Sequence, residues 1–308
     1  MKYDSIIIGL SAAGISAAIY LKRRNINFLI IGKDWGGEMA LSGIIENYPG
    51  IVKTDGLDLT NKFKEHLLSY EINPTIEEVK NINKKNEHFE IITNKNIYIS
   101  KSTIIATGSK PKKLNIPGEN EFYHKGVSYC YICDLPLFKN KKVAIIGGGN
   151  TALESSLMAS EICSYVYLIN KNHFFKGDQI LISEIEKKQN VKIIYKALTK
   201  EIYGDKFVKG LKYLDVEKNE IVDLELDGVF IHIGMNPNSE FIPEEWQIKN
   251  IYQEIVVNKI CETGIPGVFA AGDVTDIPYK QIGIAVGQGI IAALSNINYL
   301  NLVTKNNL

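Results

Sequence analysis

Cysteine is scarce in this sequence. Its 308 residues contain four cysteines, too few for a secreted disulfide scaffold. A surplus of either charge is missing as well: Lys+Arg and Asp+Glu both total 35, a formal net charge of zero. No global field therefore draws the chain toward nucleic acid or an anionic membrane. Low-complexity tracts and long linkers are absent too. The apolar stretch from Ile6 to Leu21 is broken by Gly9, Ser11 and Gly14 and closed by Lys22-Arg23-Arg24. It is too short for a comfortable membrane span, and it reads as a buried strand followed by a helix. With no leader expected, the expected compartment is the cytoplasm.

What is present suits a globular protein of more than one core. Hydrophobic residues make up 45% and charged residues 23%, ordinary for a folded domain, and the length exceeds that of a typical single domain. Two stretches, Ser5 to Lys33 and Val143 to Lys171, share one layout: apolar run, glycine turn, helix-length segment, second apolar run. The spacing from Gly9 to Ile31 equals that from Gly147 to Ile169, which favours two copies of one βαβ unit. Short alternating segments suited to a β-meander follow each copy. They are His88 to Ile99 in the first half, and Val191 to Leu198 and Asp227 to Gly234 in the second. The turns at Ala106 to Pro111 and Ile233 to Asn238 are the natural hinges. The expected fold is α/β, with two Rossmann-like βαβ domains of three-layer architecture, the second inserted into the first. Residues 1–113 and 237–308 would form one domain and residues 114–236 the insert.

A glycine turn between strand and helix lets backbone N–H groups and the helix N-terminus meet a dinucleotide pyrophosphate. Alone, the pattern is weak. In Gly9-Leu10-Ser11-Ala12-Ala13-Gly14, serine replaces the middle glycine; its hydroxyl could bond a phosphate, but its Cβ takes up room. A tight turn without a ligand stays open as a reading. Gly147-Gly148-Gly149-Asn150-Thr151-Ala152 fits the G-x-G-x-x-A form without compromise. Specificity should then show after the second strand, where Ile169 to Lys176 (INKNHFFK) contains neither an acid nor an arginine.

The segment Val127 to Phe138, VSYCYICDLPLF, places Cys130 and Cys133 in a C-x-x-C pair followed by Asp134. A zinc reading needs two further ligands, and neither Cys163, in a helix-like stretch, nor Cys261, in an isolated turn, forms a second pair. A structural staple over so short a loop would stabilise little. A redox pair, in which one thiol attacks and the other resolves the mixed disulfide, explains more. Cys163 and Cys261 read as buried residues, and His173 as a surface residue.

With the repeated βαβ, the insert and the C-x-x-C in view, the chain resembles the low-molecular-weight thioredoxin reductases, FAD-containing enzymes that pass electrons to a protein disulfide. The resemblance covers nearly the whole chain. It rests on GLSAAG, GGEMALSGIIENYPG (Gly36 to Gly50), IIATGS (Ile104 to Ser109), IPGE (Ile116 to Glu119), CYICD, GGGNTA, and TGIPGVFAAGDV with Lys280-Gln281. It implies that FAD is held by Gly9, Ser11, Ala12, Ala13 and Gly14, by Gly36, Gly37 and Glu38, by Asn47 within Glu46 to Gly50, by Ala106, Thr107 and Gly108, by Gly272 and Asp273 ahead of Val274, and by Lys280, Gln281 and Ile282. Gln281 would open a helix whose positive end faces the pyrimidine side of the flavin. Lys280 stands where the family has arginine and lacks its planar fork.

The resemblance further implies that Cys133 is the thiol nearer the flavin, Cys130 the outer thiol and Asp134 the proton-handling acid. The partner would be thioredoxin or a thioredoxin-like protein, and the assembly a homodimer. Tyr131 and Ile132 are bulkier than the family's usual pair, and Leu135-Pro136 stands where it often has glycine, changes that could narrow access to the thiols. NADPH users in the family carry H-R-R-x-x-x-R where this chain has Asn170, Lys171, Asn172 and Lys176, so the bidentate grip on a 2′-phosphate is gone. NADP(H) is thus disfavoured, and NAD(H) has no carboxylate to support it. Relatives that take electrons from reduced ferredoxin have lost the same signature, which leaves the donor open between ferredoxin and a pyridine nucleotide. Two other activities fit the same motifs: a dithiol oxidase returning electrons to oxygen, and a flavin redox sensor acting through a partner.

Overall fold

The computed structural model describes residues 2–306 except Gly43; the side chains of Ile44, Cys133 and residues 304–306 lie outside the described set. Two compact units emerge, unit 1 from Met1–Lys110 with Asn236–Leu308 and unit 2 from Pro111–Met235.

Unit 1 opens with β1 (Lys2–Ile8), α1 (Ala12–Arg23) and β2 (Phe28–Gly32), then α2 (Gly56–Ser69), β3 (Thr75–Ile76), β4 (Val79–Lys85), β5 (His88–Thr93) and β6 (Ile97–Ile105). β1 is parallel to both β2 and β6, with Ile6, Ile7 and Ile8 opposite Leu29, Ile30 and Ile31 on one side and Thr103, Ile104 and Ile105 on the other. A continuous apolar run suits such a strand, which is buried on both faces. β6 also pairs with β5 in the antiparallel β4-β5-β6 meander. Successive side chains alternate between faces, so Ile7, Ile30 and Ile104 join the core under α1, while Ile6, Ile8, Ile31 and Ile105 join the opposite core with Phe89 and Ile91. Helices, parallel sheet and meander make three layers.

Unit 2 repeats the plan with β7 (Val127–Ser128), α3 (Tyr131–Asp134), β8 (Lys142–Gly147), α4 (Asn150–Ile162), β9 (Tyr165–Ile169), α5 (Gln179–Glu186), β10 (Val191–Ile194), β11 (Ala197–Gly204), β12 (Val208–Asp215), β13 (Glu220–Glu225) and β14 (Gly228–His232). The parallel sheet has the order β7-β14-β8-β9-β10, and β11-β12-β13 form an antiparallel sheet. Val143, Ile145, Leu168 and Phe230 pack toward α4; Ala144, Ile146, Val229 and Ile231 pack with Ile202, Val208 and Leu211 of the antiparallel sheet. The segment expected as one strand, Val191 to Leu198, is two: Lys196 has φ 51°, and β10 and β11 belong to different sheets.

The chain returns to unit 1 at Asn236; there β15 (Val268–Ala270) pairs parallel with β6 from Thr103 to Ile105, and α6 (Ile282–Asn306) is the last described element. Among the described residues α6 is the one helix whose length and composition would suit a membrane span. In unit 1 it lies against α1 through small residues: a Cβ on Gly289 would fall 2.2 Å from the Ala13 carbonyl oxygen.

Candidate functional site

In unit 1 the first glycine turn is built by close approach. Gly9 has φ 129°, and a Cβ there would lie 2.0 Å from the Ala106 carbonyl oxygen; a Cβ on Gly14 would lie 2.0 Å from that of Gly9. Only glycine permits both contacts. Ser11 occupies the N-cap position of α1 without capping it. Its hydroxyl instead donates to the Gly36 carbonyl (2.5 Å), and the Gly36 N–H donates to the Leu10 carbonyl (2.8 Å). The serine hydroxyl, which the sequence offered as one that could bond a phosphate, is engaged in docking the Gly36-Gly37-Glu38 segment onto the turn.

The other predicted segments of unit 1 converge on the same place. Ala12, Met39, Ile45 and Leu59 form a small core joined by Tyr48, Ile51, Ile282 and Ala285, and Asn47 Nδ2 donates to Gln281 Oε1 (3.2 Å). Gly272, with φ 80°, donates its N–H to Gln288 Oε1 (2.8 Å), and a Cβ there would sit 3.1 Å from that of Ala13. Burial, with Asp273 and then Asp34 adding, pushes the Glu38 carboxyl up to about 7. Asp273 is likewise raised by burial, against the pull of Lys280. The Lys280 ammonium pairs with Glu254 (3.0 Å) and donates to the Thr275 carbonyl. Thr107 Oγ1 donates to the Asn238 carbonyl (2.7 Å), and Asn238 Nδ2 returns a bond to the Thr107 carbonyl (2.9 Å). Gln288 and Asn238 escaped the sequence reading because an amide in a helix or a turn carries no pattern of its own.

In unit 2 the second glycine turn is shaped by an asparagine. A Cβ on Gly148 would meet the Asn170 side chain at 2.8 Å, and Asn170 is only 2% exposed. Its Nδ2 donates to the Phe174 carbonyl (2.7 Å), its Oδ1 accepts from the Asn172 N–H (3.1 Å), and the Lys176 N–H donates to the Gly148 carbonyl (2.7 Å). The loop after β9 is thereby folded onto the turn, with Lys171, His173 and Lys176 exposed.

Cys130 is disulfide-bonded; the Cys133 side chain lies outside the described residues. Cys163 and Cys261 are buried free thiols, each pushed up to about 11 by burial, which makes them poor nucleophiles at neutral pH. The Cys130 N–H donates to Ser128 Oγ (2.9 Å), Ser128 Oγ donates back to the Cys130 carbonyl (3.1 Å), and the Asp134 N–H closes the turn on that same carbonyl (3.2 Å). Tyr131 turns into unit 2, toward His232 and Glu154, two residues the sequence reading did not single out.

Known proteins resemble the chain over nearly its whole length. Residues 3–289 match the family described as pyridine nucleotide-disulphide oxidoreductase. The thioredoxin reductase of Ureaplasma parvum is 38% identical over 306 residues, covering 99% of this chain and 98% of that protein. An NADH dehydrogenase of Bacillus subtilis is 39% identical over 300 residues and 97% of this chain, which spans only 58% of that protein's length. The crystal structure of Lactococcus lactis thioredoxin reductase superposes with a TM-score of 0.89 at 33% identity, covering 97% of this chain and 99% of the other. The chain belongs to the pyridine nucleotide-disulphide oxidoreductase family, as a flavoprotein oxidoreductase of the thioredoxin reductase type.

Proposed function

We propose that this protein reduces a disulfide of thioredoxin or a thioredoxin-like protein, with FAD in unit 1 and the exchanging pair Cys130 and Cys133 in unit 2. One observation carries the reading: Cys130 of the C-x-x-C motif is in a disulfide, whereas Cys163 and Cys261 outside it are buried thiols of raised pKa. The residues of unit 1 fit FAD. No side chain caps α1, so its first-turn amides suit a pyrophosphate, and Glu38 and Asp273 offer carboxyls suited to sugar hydroxyls. Bound there, FAD would supply the two-electron relay between donor and disulfide.

The protein's own part is thiol chemistry. The Cys130 thiolate attacks one sulfur of the partner's disulfide and expels the other as a thiolate, which Asp134 protonates. Cys133 gives its proton back to Asp134 and, as the thiolate, attacks Cys130, reforming their disulfide and expelling the second partner thiolate, which takes up that proton, so that the partner leaves as a dithiol. An accessible thiol is what this step needs, and Cys130 alone of the described cysteines is not fully buried. On the donor side, Lys171 and Lys176 could attract a 2′-phosphate only as point charges. The name of the Bacillus relative favours NADH, while the lost arginine pattern fits reduced ferredoxin equally.

Anaerobic mixing of the purified flavoprotein with NADH, NADPH or reduced ferredoxin, followed by oxidised thioredoxin, tests the reading. Bleaching of the flavin by one donor and its recovery on adding thioredoxin is the expected course. A flavin that bleaches but never passes electrons to a protein disulfide would replace it with a redox sensor, and oxygen uptake with a small dithiol and no donor would replace it with an oxidase.

A further inference from the structure

The segment between the two cysteines is anchored inside unit 2 by a side chain that thiol exchange itself does not require. Tyr131 directly follows Cys130, and its ring stands edge-on to His232 with centroids 5.4 Å apart and planes at 85°. Its hydroxyl is hydrogen-bonded to Glu154. Both anchors sit on rigid elements beside the second glycine turn: Glu154 on α4, and His232 at the end of β14, in register with Gly147.

The chemistry of the three groups makes this a firm hold. Burial, with Glu154 adding, pushes the Tyr131 phenol up to about 12, so it is a neutral donor across the working range. Glu154 is exposed at the surface of α4, yet partial desolvation by its neighbours raises its carboxyl, Asp178 adds to the rise, and the Tyr131 hydrogen bond opposes it. Asp178 is itself fixed by Asn150, whose Nδ2 donates to it (2.9 Å) and whose Oδ1 accepts its N–H (2.7 Å). Burial lowers His232 to about 4, and its Nε2 has no hydrogen-bond partner among the described residues. It meets Tyr131 as a neutral ring. An aromatic ring packed on one side and hydrogen-bonded at its tip fixes its own backbone more strongly than a small side chain can. The backbone so fixed is continuous with Cys130, whose N–H and carbonyl are already held by Ser128 and Asp134.

We propose that Tyr131 is a positioning residue for Cys130: its attachment to Glu154 and His232 holds the outer thiol against unit 2 and sets how readily it exchanges with an incoming disulfide. The proposal rests on Cys130 being the exchanging thiol. A small residue at this position would leave the turn free to rock outward toward a partner. With tyrosine, exchange must occur at a thiol held in place, which favours acceptors whose disulfide can approach it.

The test uses the full-length, FAD-loaded protein, reduced with dithiothreitol and trapped with iodoacetamide across a range of pH. Alkylation of Cys130 is followed by peptide mass spectrometry in the wild type, Tyr131→Phe, Tyr131→Ala, Glu154→Ala and Glu154→Gln. Tyr131→Phe and Glu154→Ala should trap Cys130 about fivefold faster, the equivalent of one net hydrogen bond, and Tyr131→Ala faster still. Glu154→Gln keeps an acceptor and should return the wild-type rate and pH profile. Should Tyr131→Ala not fold, the other three variants decide. Unchanged Cys130 rates in both Tyr131→Phe and Glu154→Ala, whatever their melting temperatures, overturn the proposal. Faster trapping in a protein that reduces no protein disulfide would leave Tyr131 its role and remove the proposed activity instead.

Discussion

The two glycine turns have the same spacing and the same strand-turn-helix frame, yet polar side chains furnish them differently. In unit 1, Ser11 reaches across to Gly36 and docks a second segment, so that residues far apart in sequence gather around α1. In unit 2, Asn170 is buried against Gly148 and binds the loop that follows it. The first turn collects distant pieces of the chain, as a large cofactor needs. The second organises only its neighbours, and the chemistry proposed for its unit falls to the C-x-x-C segment. One frame thus supports two tasks according to where a few polar groups are directed.

The largest expected effect concerns the task of unit 2 alone. Cys130→Ser and Cys133→Ser should each abolish disulfide reduction while leaving the flavin spectrum and its bleaching by the donor intact; a fully active variant of either kind would break the division of labour. Next come Gly9→Ala and Gly147→Ala. Each adds a Cβ within about 2 Å of a carbonyl oxygen at a positive φ, and each should destabilise its own unit by at least about 2 kcal/mol. FAD retention after gel filtration should fall in Gly9→Ala and hold in Gly147→Ala.

Glu38→Gln tests the charge of the first turn. A carboxyl held at about 7 in the fold and near 4.5 when unfolded binds more protons folded than unfolded between those values. Its contribution is complete below about 4.5 and is lost as pH rises through about 7. After discounting for partial exposure, this amounts to on the order of 1–3 kcal/mol. Denaturation of the apoprotein should show stability falling over that window in the wild type and a flatter profile in Glu38→Gln. Asn170→Ala strands the Asn172 N–H and the Phe174 carbonyl and should cost about 1–3 kcal/mol, whereas Ser11→Ala, which removes one hydrogen bond beside a turn, should cost about 0.5–1.5 kcal/mol. Chemical denaturation of both variants would sharpen the contrast.

The frame was legible in the sequence because it is written in spacing. Apolar runs at Ile6-Ile7-Ile8 and Val143 to Ile146, each ended by a glycine, announce buried parallel strands, and the equal distance to the next strand announces the repeat. The segments gathered around α1 were legible only through resemblance to a family, since nothing local in Glu46 to Gly50 says that Asn47 will meet Gln281. The strand break at Lys196 was hidden because a lysine entering the left-handed region leaves no trace in an alternating pattern. The hold on Tyr131 was hidden for a different reason: Glu154 and His232 are ordinary residues until the fold places them side by side.

The reciprocal bonds between Thr107 and Asn238 have a practical consequence for protein engineering. They join the two points of unit 1 between which the chain departs and returns, so residues 111–235 are spliced in through a gap that a few residues of linker could close. Unit 2 should therefore behave as an exchangeable cassette, and a flavin scaffold made of unit 1 alone could receive a foreign insert at the same seam.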